Sequence, residues 1–319
     1  MRFCFIVEEK YRLDGMPTSV AQQLSAWGHG VYVLEPQSTA SCLSALASVD
    51  THRFDAYVLK TVSDGPGLSI LGAAAANGVP AINDPRAIRL VRDKAIGAAV
   101  ARANRIPFPL TYFVADLRRA DLIPRAQYPL VIKPSNGSSM QDVHRVDGPE
   151  QLEAVCQGLV GGRSFLAQRY VANDGYDVKL YNTGLDAFAI VRGSPLHPGM
   201  AVEEHLVPMT SELRRIVMSV GRVFGLRIYG VDVVRTTAGW VAVDINDFPS
   251  FGSVPNAVGL VSRTIVGLAA RAMRRRAIRG TVRTLARRAS LEFRLREEEA
   301  IDGILGLRTM ERENVGGGL

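Results

Sequence analysis

The stretch from Tyr229 to Gly252, YGVDVVRTTAGWVAVDINDFPSFG, carries Asp232 in one apolar run and Asp244 and Asn246 in the next. Thr236, Thr237, Ala238 and Gly239 lie between the runs, so the pattern predicts a β-hairpin. Side chains alternate along a strand, which lets Asp232 stand across from Asp244 while Asn246 shares a face with Asp244. The neighbouring Val231, Val233, Trp240, Val241, Val243 and Ile245 mark both strands as buried. Two buried carboxylates that face each other repel strongly unless a cation lies between them. Carboxylate and amide oxygens suit Mg²⁺, with Mn²⁺ as a chemically close substitute, and such a site commonly takes further oxygens from phosphates.

The basic residues point the same way. The 319-residue chain has a net charge of +7, yet only Lys10, Lys60, Lys94, Lys133 and Lys179 are lysines, against 33 arginines. In a chain that uses arginine for generic positive charge, a retained lysine marks a place suited to a compact ammonium, and phosphate binding is one such use. Lys133 ends an apolar run and leads into Pro134, Ser135, Asn136, Gly137, Ser138 and Ser139, a loop whose backbone amides can wrap around phosphate oxygens. Lys10 and Lys60 each follow a predicted strand, at the sheet edge where open α/β folds bind ligands, within reach of an anionic substrate.

The elements that must position these groups fall into segments. Strands at Arg2 to Val7, Val31 to Leu34, Ala56 to Leu59 and Pro80 to Ile82 alternate with helices at Ser19 to Trp27, Ala40 to Ala47 and Leu68 to Ala76. That alternation predicts a parallel, Rossmann-like βαβ unit, without the GxGxxG of a dinucleotide site. Asp84-Pro85 opens a helix that ends at Asn104 to Pro109, with Lys94 interrupting its apolar stripe. Strands follow at Thr111 to Val114, Tyr128 to Lys133, Phe165 to Val171 and Tyr176 to Tyr181, with a helix toward Leu159.

Composition excludes several classes. With 47% hydrophobic and 22% charged residues the chain can bury a large core, and no run of about 20 apolar residues offers a membrane span. The opening residues hold too short an apolar run for a signal peptide, so a cytoplasmic protein is expected. Cys4, Cys42 and Cys156 are widely spaced without a CxxC, which implies no zinc site. His197 and His205 read as exposed. The arginine-rich segment from Arg271 to Arg296 reads as a solvated basic helix or a contact to a second copy of the chain in a homodimer, in preference to nucleic acid or membrane.

Lys94, Lys133 at a strand-to-loop step, the strand FLAQRYV, Asp177 with Lys179 in YDVKLY, and the Asp232/Asp244/Asn246 hairpin occur in an order that resembles the ATP-grasp superfamily. The resemblance implies mixed α/β and α+β architecture. Residues 1–84 would form a Rossmann-like pre-ATP-grasp domain, 85–167 a lid, 168–262 the subdomain with the metal site, and 263–319 a basic helical tail. It further implies that ATP lies between two subdomains, its phosphates against Lys94 and Lys133 beneath the loop Ser135 to Ser139. Gln168, Tyr170 and Val171 would hold adenine, and Asp177 would join the nucleotide-binding residues. Asp232, Asp244 and Asn246 would bind Mg²⁺.

Two branches are similar to the chain. RimK-type glutamate ligases, which make an acyl phosphate that an amine displaces, match in overall length and in Asp177-Val178-Lys179. Inositol tris/tetrakisphosphate kinases match in the DINxFP end of the hairpin, Asp244 to Pro249, and in Lys10, Lys60 and Arg192, which would contact the acceptor. The loop departs from both, with Asn136 and Gln141 near the places of two kinase histidines and Met140 and Asp142 where the ligases carry glycines. Lys179 and Arg192 would be catalytic, Arg192 holding an oxyanion or substrate carboxylate in a ligase and a substrate phosphate in a kinase. Ligation leads because it is the commoner chemistry of the superfamily; the kinase stands second, and an ATP-binding regulatory pseudoenzyme third.

Overall fold

A computed structural model describes residues 1–38, 54–60, 65–136, 143–158, 164–197, 199–200, 202–275 and 278. One body runs from Met1 to Ala269 and a second from Ala270 to Leu319. The described residues of the second, 270–275 and 278, are helical, and the rest of the arginine-rich tail lies outside the described residues.

Strands β1 (Arg2–Val7), β2 (Gly30–Leu34), β3 (Ala56–Lys60) and β4 (Ala81–Ile82) form a parallel sheet in the order β2-β1-β3-β4. Helix α1 (Gly15–Ala26) starts four residues ahead of the expected Ser19. The Asp14 carboxylate accepts from Met16 N at 3.0 Å and caps it there, and Met16 and Pro17 are buried in its first turn. Helix α2 (Gly67–Ala76) follows β3, and the helix expected over Ala40 to Ala47 lies outside the described residues.

The helix expected from Pro85 onward is broken. Asp93 takes ψ 94°, and its carboxylate accepts from Ala95 N and Ile96 N at 3.0 Å, so α3 (Pro85–Arg92) ends and α4 (Lys94–Ala103) begins. The break makes Lys94 the first residue of α4. Its N–H donates to the Ser135 carbonyl at 3.0 Å, which fixes the start of that helix beside the loop that follows Pro134.

A second sheet, β5 (Thr111–Val114), β6 (Leu130–Pro134), β7 (His144–Val146) and β8 (Phe165–Arg169), is antiparallel in the order β5-β8-β6-β7. One face buries Leu130, Ile132, Val146, Phe165 and Ala167 with Leu152 of α5 (Pro149–Gly158). By alternation the other presents Val131, Lys133, Leu166 and Gln168.

The third sheet joins β9 (Tyr176–Asn182), β10 (Ala187–Gly193), β11 (His205–Val207), β12 (Tyr229–Thr236) and β13 (Gly239–Asp247) in the order β11-β10-β9-β12-β13, all antiparallel. Helix α6 (Ser211–Phe224), capped by Thr210 and ended by Gly225 at φ +74°, buries Leu213, Ile216, Val217, Val220 and Phe224 against Val178, Leu180, Val231 and Val233. Each such side chain contributes about 1.5–3 kcal/mol of burial. The opposite face carries the charges. A helix beginning at 257 packs Val261, Ile265 and Ala269 with Phe3, Phe5, Tyr181 and Phe251, joining the first and third sheets through one core.

Candidate active site

The expected hairpin is β12 and β13, turning at Thr236 to Gly239, with Asp232 paired to Asp244 and Gly230 to Asn246. Its register shifts by one residue after Asp232, so that Val233 pairs with Ala242 and Val243 is left as a bulge. Strict alternation would have put Val243 and Asp244 on opposite faces. The bulge instead lets Ala242 and Ile245 both enter the core, while Val243 and Asp244 both line a cavity of roughly 170 Å³ between the second and third sheets.

Cations surround the two carboxylates. Lys94 pairs with Asp244, Lys179 Nζ lies 3.5 Å from Asp232 Oδ1, and Arg192 Nη2 lies 3.0 Å from Asp232 Oδ2 and 3.8 Å from Asp177 Oδ2. The register explains two of these contacts, since Lys179 is the β9 partner of Asp232 and Arg192 the β10 partner of Asp177; from there Arg192 reaches across β9 to Asp232. Lys133 Nζ donates to the Val243 carbonyl at 2.9 Å, the group exposed by the bulge. Burial pushes the Lys133 ammonium down to about 8 even though Asp244 draws the other way. Burial would raise Asp244, but the Lys94 and Lys133 charges outweigh it and hold the carboxyl below the ordinary range. Asp177 is raised by burial, with Arg192 opposing.

These residues fit a hard cation. Asp232 Oδ1 is buried without a hydrogen-bond partner, and Asn246 Nδ2 lies 3.5 Å from Asp232 Oδ2, so a modest turn of its amide brings a third oxygen to the pair. Among the described residues no group of three or more His, Cys, Asp or Glu is gathered to hold a metal, so the donors here are two carboxylates and an amide. Two carboxylates and an amide leave room for substrate oxygens around Mg²⁺.

The cavity is lined by the apolar residues Pro109, Val131, Val143, Val171 and Leu196 and by the charged residues Lys94, Lys133, Asp177, Arg192, Asp232 and Asp244. Gln168 and Tyr170 also line it. Ser135 is buried, its Oγ 2.5 Å from Ser164 Oγ, while Gly137, Ser138 and Ser139 lie outside the described residues. Lys10 and Lys60 are not in the described lining. Lys10 is exposed in the turn Glu9–Tyr11, and Lys60 is buried, donating to the Phe248 carbonyl at 2.5 Å beside Asp14 at 3.6 Å.

Some lining residues carried no separate signal in the sequence. Val131 was available from alternation two residues before Lys133, whereas Pro109 and Leu196 enter only through the segment before β5 and the loop after β10. His197, expected to be exposed, is half-buried, with Nε2 3.2 Å from the Tyr170 hydroxyl; Arg145 stacks on the same ring at 4.3 Å. The tyrosine on the rim of the cavity holds it in. His205 is exposed as expected.

A family description, RimK-like ATP-grasp domain, matches residues 91–261. A probable alpha-L-glutamate ligase 2 of Shewanella frigidimarina is 26% identical over 259 residues, covering 73% of this chain and 84% of that protein. Among solved structures, a RimK domain ATP-grasp protein from Sphaerobacter thermophilus superposes with a TM-score of 0.67 at 21% identity, over 83% of this chain and 99% of the other. The ATP-grasp ligase PsnB, complexed with a minimal precursor, Mg and ADP, gives 0.61 at 16% identity, over 84% and 98%. The two structural likenesses are likenesses of fold.

Proposed function

This chain belongs to the RimK-like ATP-grasp family and is an ATP-dependent ligase with the ATP-grasp fold, and we propose that it joins a carboxylate to an amine through an acyl phosphate. The observation that carries the reading is the cross-strand pair Asp232 and Asp244, ringed by Lys94, Lys133, Lys179 and Arg192 in a cavity that also has an apolar lining. The base of ATP lies against the apolar lining near Val131 and Gln168, and its phosphates lie toward the cations.

Asp232, Asp244 and Asn246 hold Mg²⁺, or Mn²⁺ in its place, which when bound supplies positive charge against the phosphate oxygens. Lys94 and Lys133 neutralise charge that spreads over the γ-phosphoryl group, so the protein contributes positioning and electrostatics. A substrate carboxylate oxygen bonds to the γ-phosphorus as the bond to ADP breaks. An amine then attacks the acyl carbon and phosphate leaves, giving an amide, phosphate and a proton. Arg192, whose guanidinium offers two parallel donors, turns from Asp232 to hold the substrate carboxylate or the oxyanion, and Lys179 takes over the charge on Asp232. Lys10 and Lys60 favour an acceptor that carries negative charge.

L-glutamate, named in the relatives, is the first substrate to test, with acidic peptides next. The domain division at residues 84, 167 and 262, a cytoplasmic setting where ATP is abundant, and pairing of two copies through the arginine-rich tail belong to the same reading. No helix among the described residues is long and apolar enough to cross a membrane. The complete set of Lys94, Lys133, Asp232, Asp244 and Asn246 argues against a pseudoenzyme.

The test measures ADP and free phosphate with Mg-ATP against a panel of amino acids and short peptides and a panel of inositol phosphates. Equal ADP and phosphate, dependent on both a carboxylate and an amine, supports ligation. ADP without phosphate, dependent on one polyol phosphate, would replace the ligase by a kinase.

A further inference from the structure

Thr111 and Gln168 are register partners on β5 and β8, with side chains on the face of the second sheet that looks into the cavity. The Thr111 hydroxyl has one hydrogen, and it is donated to the Pro109 carbonyl at 3.0 Å. In the 3.1 Å contact between Thr111 Oγ1 and Gln168 Nε2, Thr111 must therefore accept and Gln168 must donate. A primary amide has an NH₂ end and a carbonyl end, and nothing in its own shape decides which faces a ligand. Here the chain from Pro109 through Thr111 decides. The NH₂ end is tied to the sheet, and in a side chain that is 3% exposed overall and lines the cavity this leaves the carbonyl oxygen as the end that Thr111 does not hold.

Gln168 also pairs with Val131 on β6, two residues before Lys133. It thus stands one pleat, roughly 7 Å, back from the phosphate-facing ammonium, on the apolar side where the base lies in the reading above. We propose that Thr111 is a positioning residue that sets base specificity: by fixing the Gln168 amide with its oxygen forward, it makes the pocket accept a 6-amino purine and reject a 6-oxo purine. The amino group of adenine donates to that oxygen. Hypoxanthine and guanine present a carbonyl at the same position, and two acceptors face each other across a dry contact. This inference rests on the ATP reading of the cavity and adds to it the residue that decides which purine enters.

Removing the hydroxyl frees the amide to turn its NH₂ end forward, toward a 6-oxo purine. The experiment is calorimetric binding of ATP and ITP, in Mg²⁺, to the full-length protein. ITP differs from ATP at the 6-position and its adjacent ring nitrogen and lacks the 2-amino group that would complicate GTP. The wild type is expected to prefer ATP by roughly 10–100-fold, the cost of an unpaired buried acceptor. Thr111→Val, close in volume, should bring the ratio to within about threefold, and Thr111→Ser should restore it. Thr111→Val/Gln168→Glu should also restore it, because a carboxylate presents an acceptor whichever way it turns. A thermal melt checks that each variant is folded. If the wild type binds ATP and Thr111→Val keeps the wild-type ratio, or the Gln168→Glu double variant stays unselective, the role of Thr111 is refuted and the ATP site stands. If the wild type binds neither nucleotide, the ATP reading falls and this inference with it.

Discussion

Arg192 Nη2 lies 3.0 Å from Asp232 Oδ2, on the carboxylate assigned to the metal, while Lys179 approaches the other oxygen at 3.5 Å. The site in this state is neutralised by its own side chains, and burial lets them do so at close range. Asp232 and its neighbours hold the Arg192 guanidinium above its ordinary value despite burial. A divalent cation must compete with that guanidinium for Asp232. Arg192→Ala should therefore bind Mn²⁺ about 3–10-fold more tightly without nucleotide, read by the free-ion signal in electron paramagnetic resonance. Turnover should fall by about 10²–10³-fold, because the donor for the substrate carboxylate is gone. Weaker metal binding would mean that Arg192 supports the metal site and does not compete for it.

Asp244→Asn keeps the shape of the side chain and removes its charge. Lys94 and the buried Lys133 then lose their shared counterion. ADP release should fall by about 10³-fold or more, with loss of Mg²⁺-dependent tightening of ATP binding. Wild-type hydrolysis by this variant would remove Asp244 from the metal site.

How far the sequence could be read depends on the range of each interaction. The opposition of Asp232 and Asp244 follows from a two-residue period and a short turn, both local, and so it was legible. The bulge at Val243 was not, since nothing in Ala242-Val243-Asp244 distinguishes it from regular alternation; it is set by packing of Ala242 and Ile245 on α6. The break at Asp93 was half legible. Lys94 visibly interrupted the apolar stripe, but the second cap required the Asp93 carboxylate to turn onto Ala95 and Ile96. Lys60 was expected just past its strand and is instead the buried last residue of β3; its partner is the Phe248 carbonyl, 188 residues away, and no local pattern carries that pairing. Thr111 became meaningful only once β5 was known to lie beside β8.

Lys60 should leave a signature in stability against pH. Burial lowers its affinity for a proton below the ordinary 10.5, with Asp14, Tyr11 and Asp247 opposing. The unfolded chain thus holds this proton more tightly than the folded one. Stability gains from Lys60 as pH rises through the folded value toward 10.5, and is penalised below that window. Lys60→Met should remove this alkaline gain, measured by urea unfolding from pH 7 to 10.5, and leave ATP affinity within about twofold because Lys60 is outside the cavity lining. A retained slope would assign the alkaline gain to another group.

Asn83, 1% exposed, joins the first sheet to the third. Its Oδ1 accepts from Arg227 N at 2.9 Å and Ile228 N at 3.1 Å, and its Nδ2 donates to the Ile228 carbonyl at 2.7 Å. Ile228 directly precedes β12, so this one amide satisfies three backbone groups at the entry to the metal-binding hairpin. Asn83→Ala removes the acceptor of the Arg227 and Ile228 N–H groups and leaves the Ile228 carbonyl with only Phe248 N at 3.3 Å, and Asn83→Asp keeps the acceptor while setting a carboxylate against the Ile228 carbonyl. Both should destabilise, the alanine variant by about 2–4 kcal/mol in urea unfolding. Hydrogen exchange should rise first at Ile228 and Tyr229, and the Mg²⁺ requirement for ATP binding should shift upward as β12 loosens. A loss of stability with exchange unchanged at β12 would confine Asn83 to the first sheet and separate it from the site.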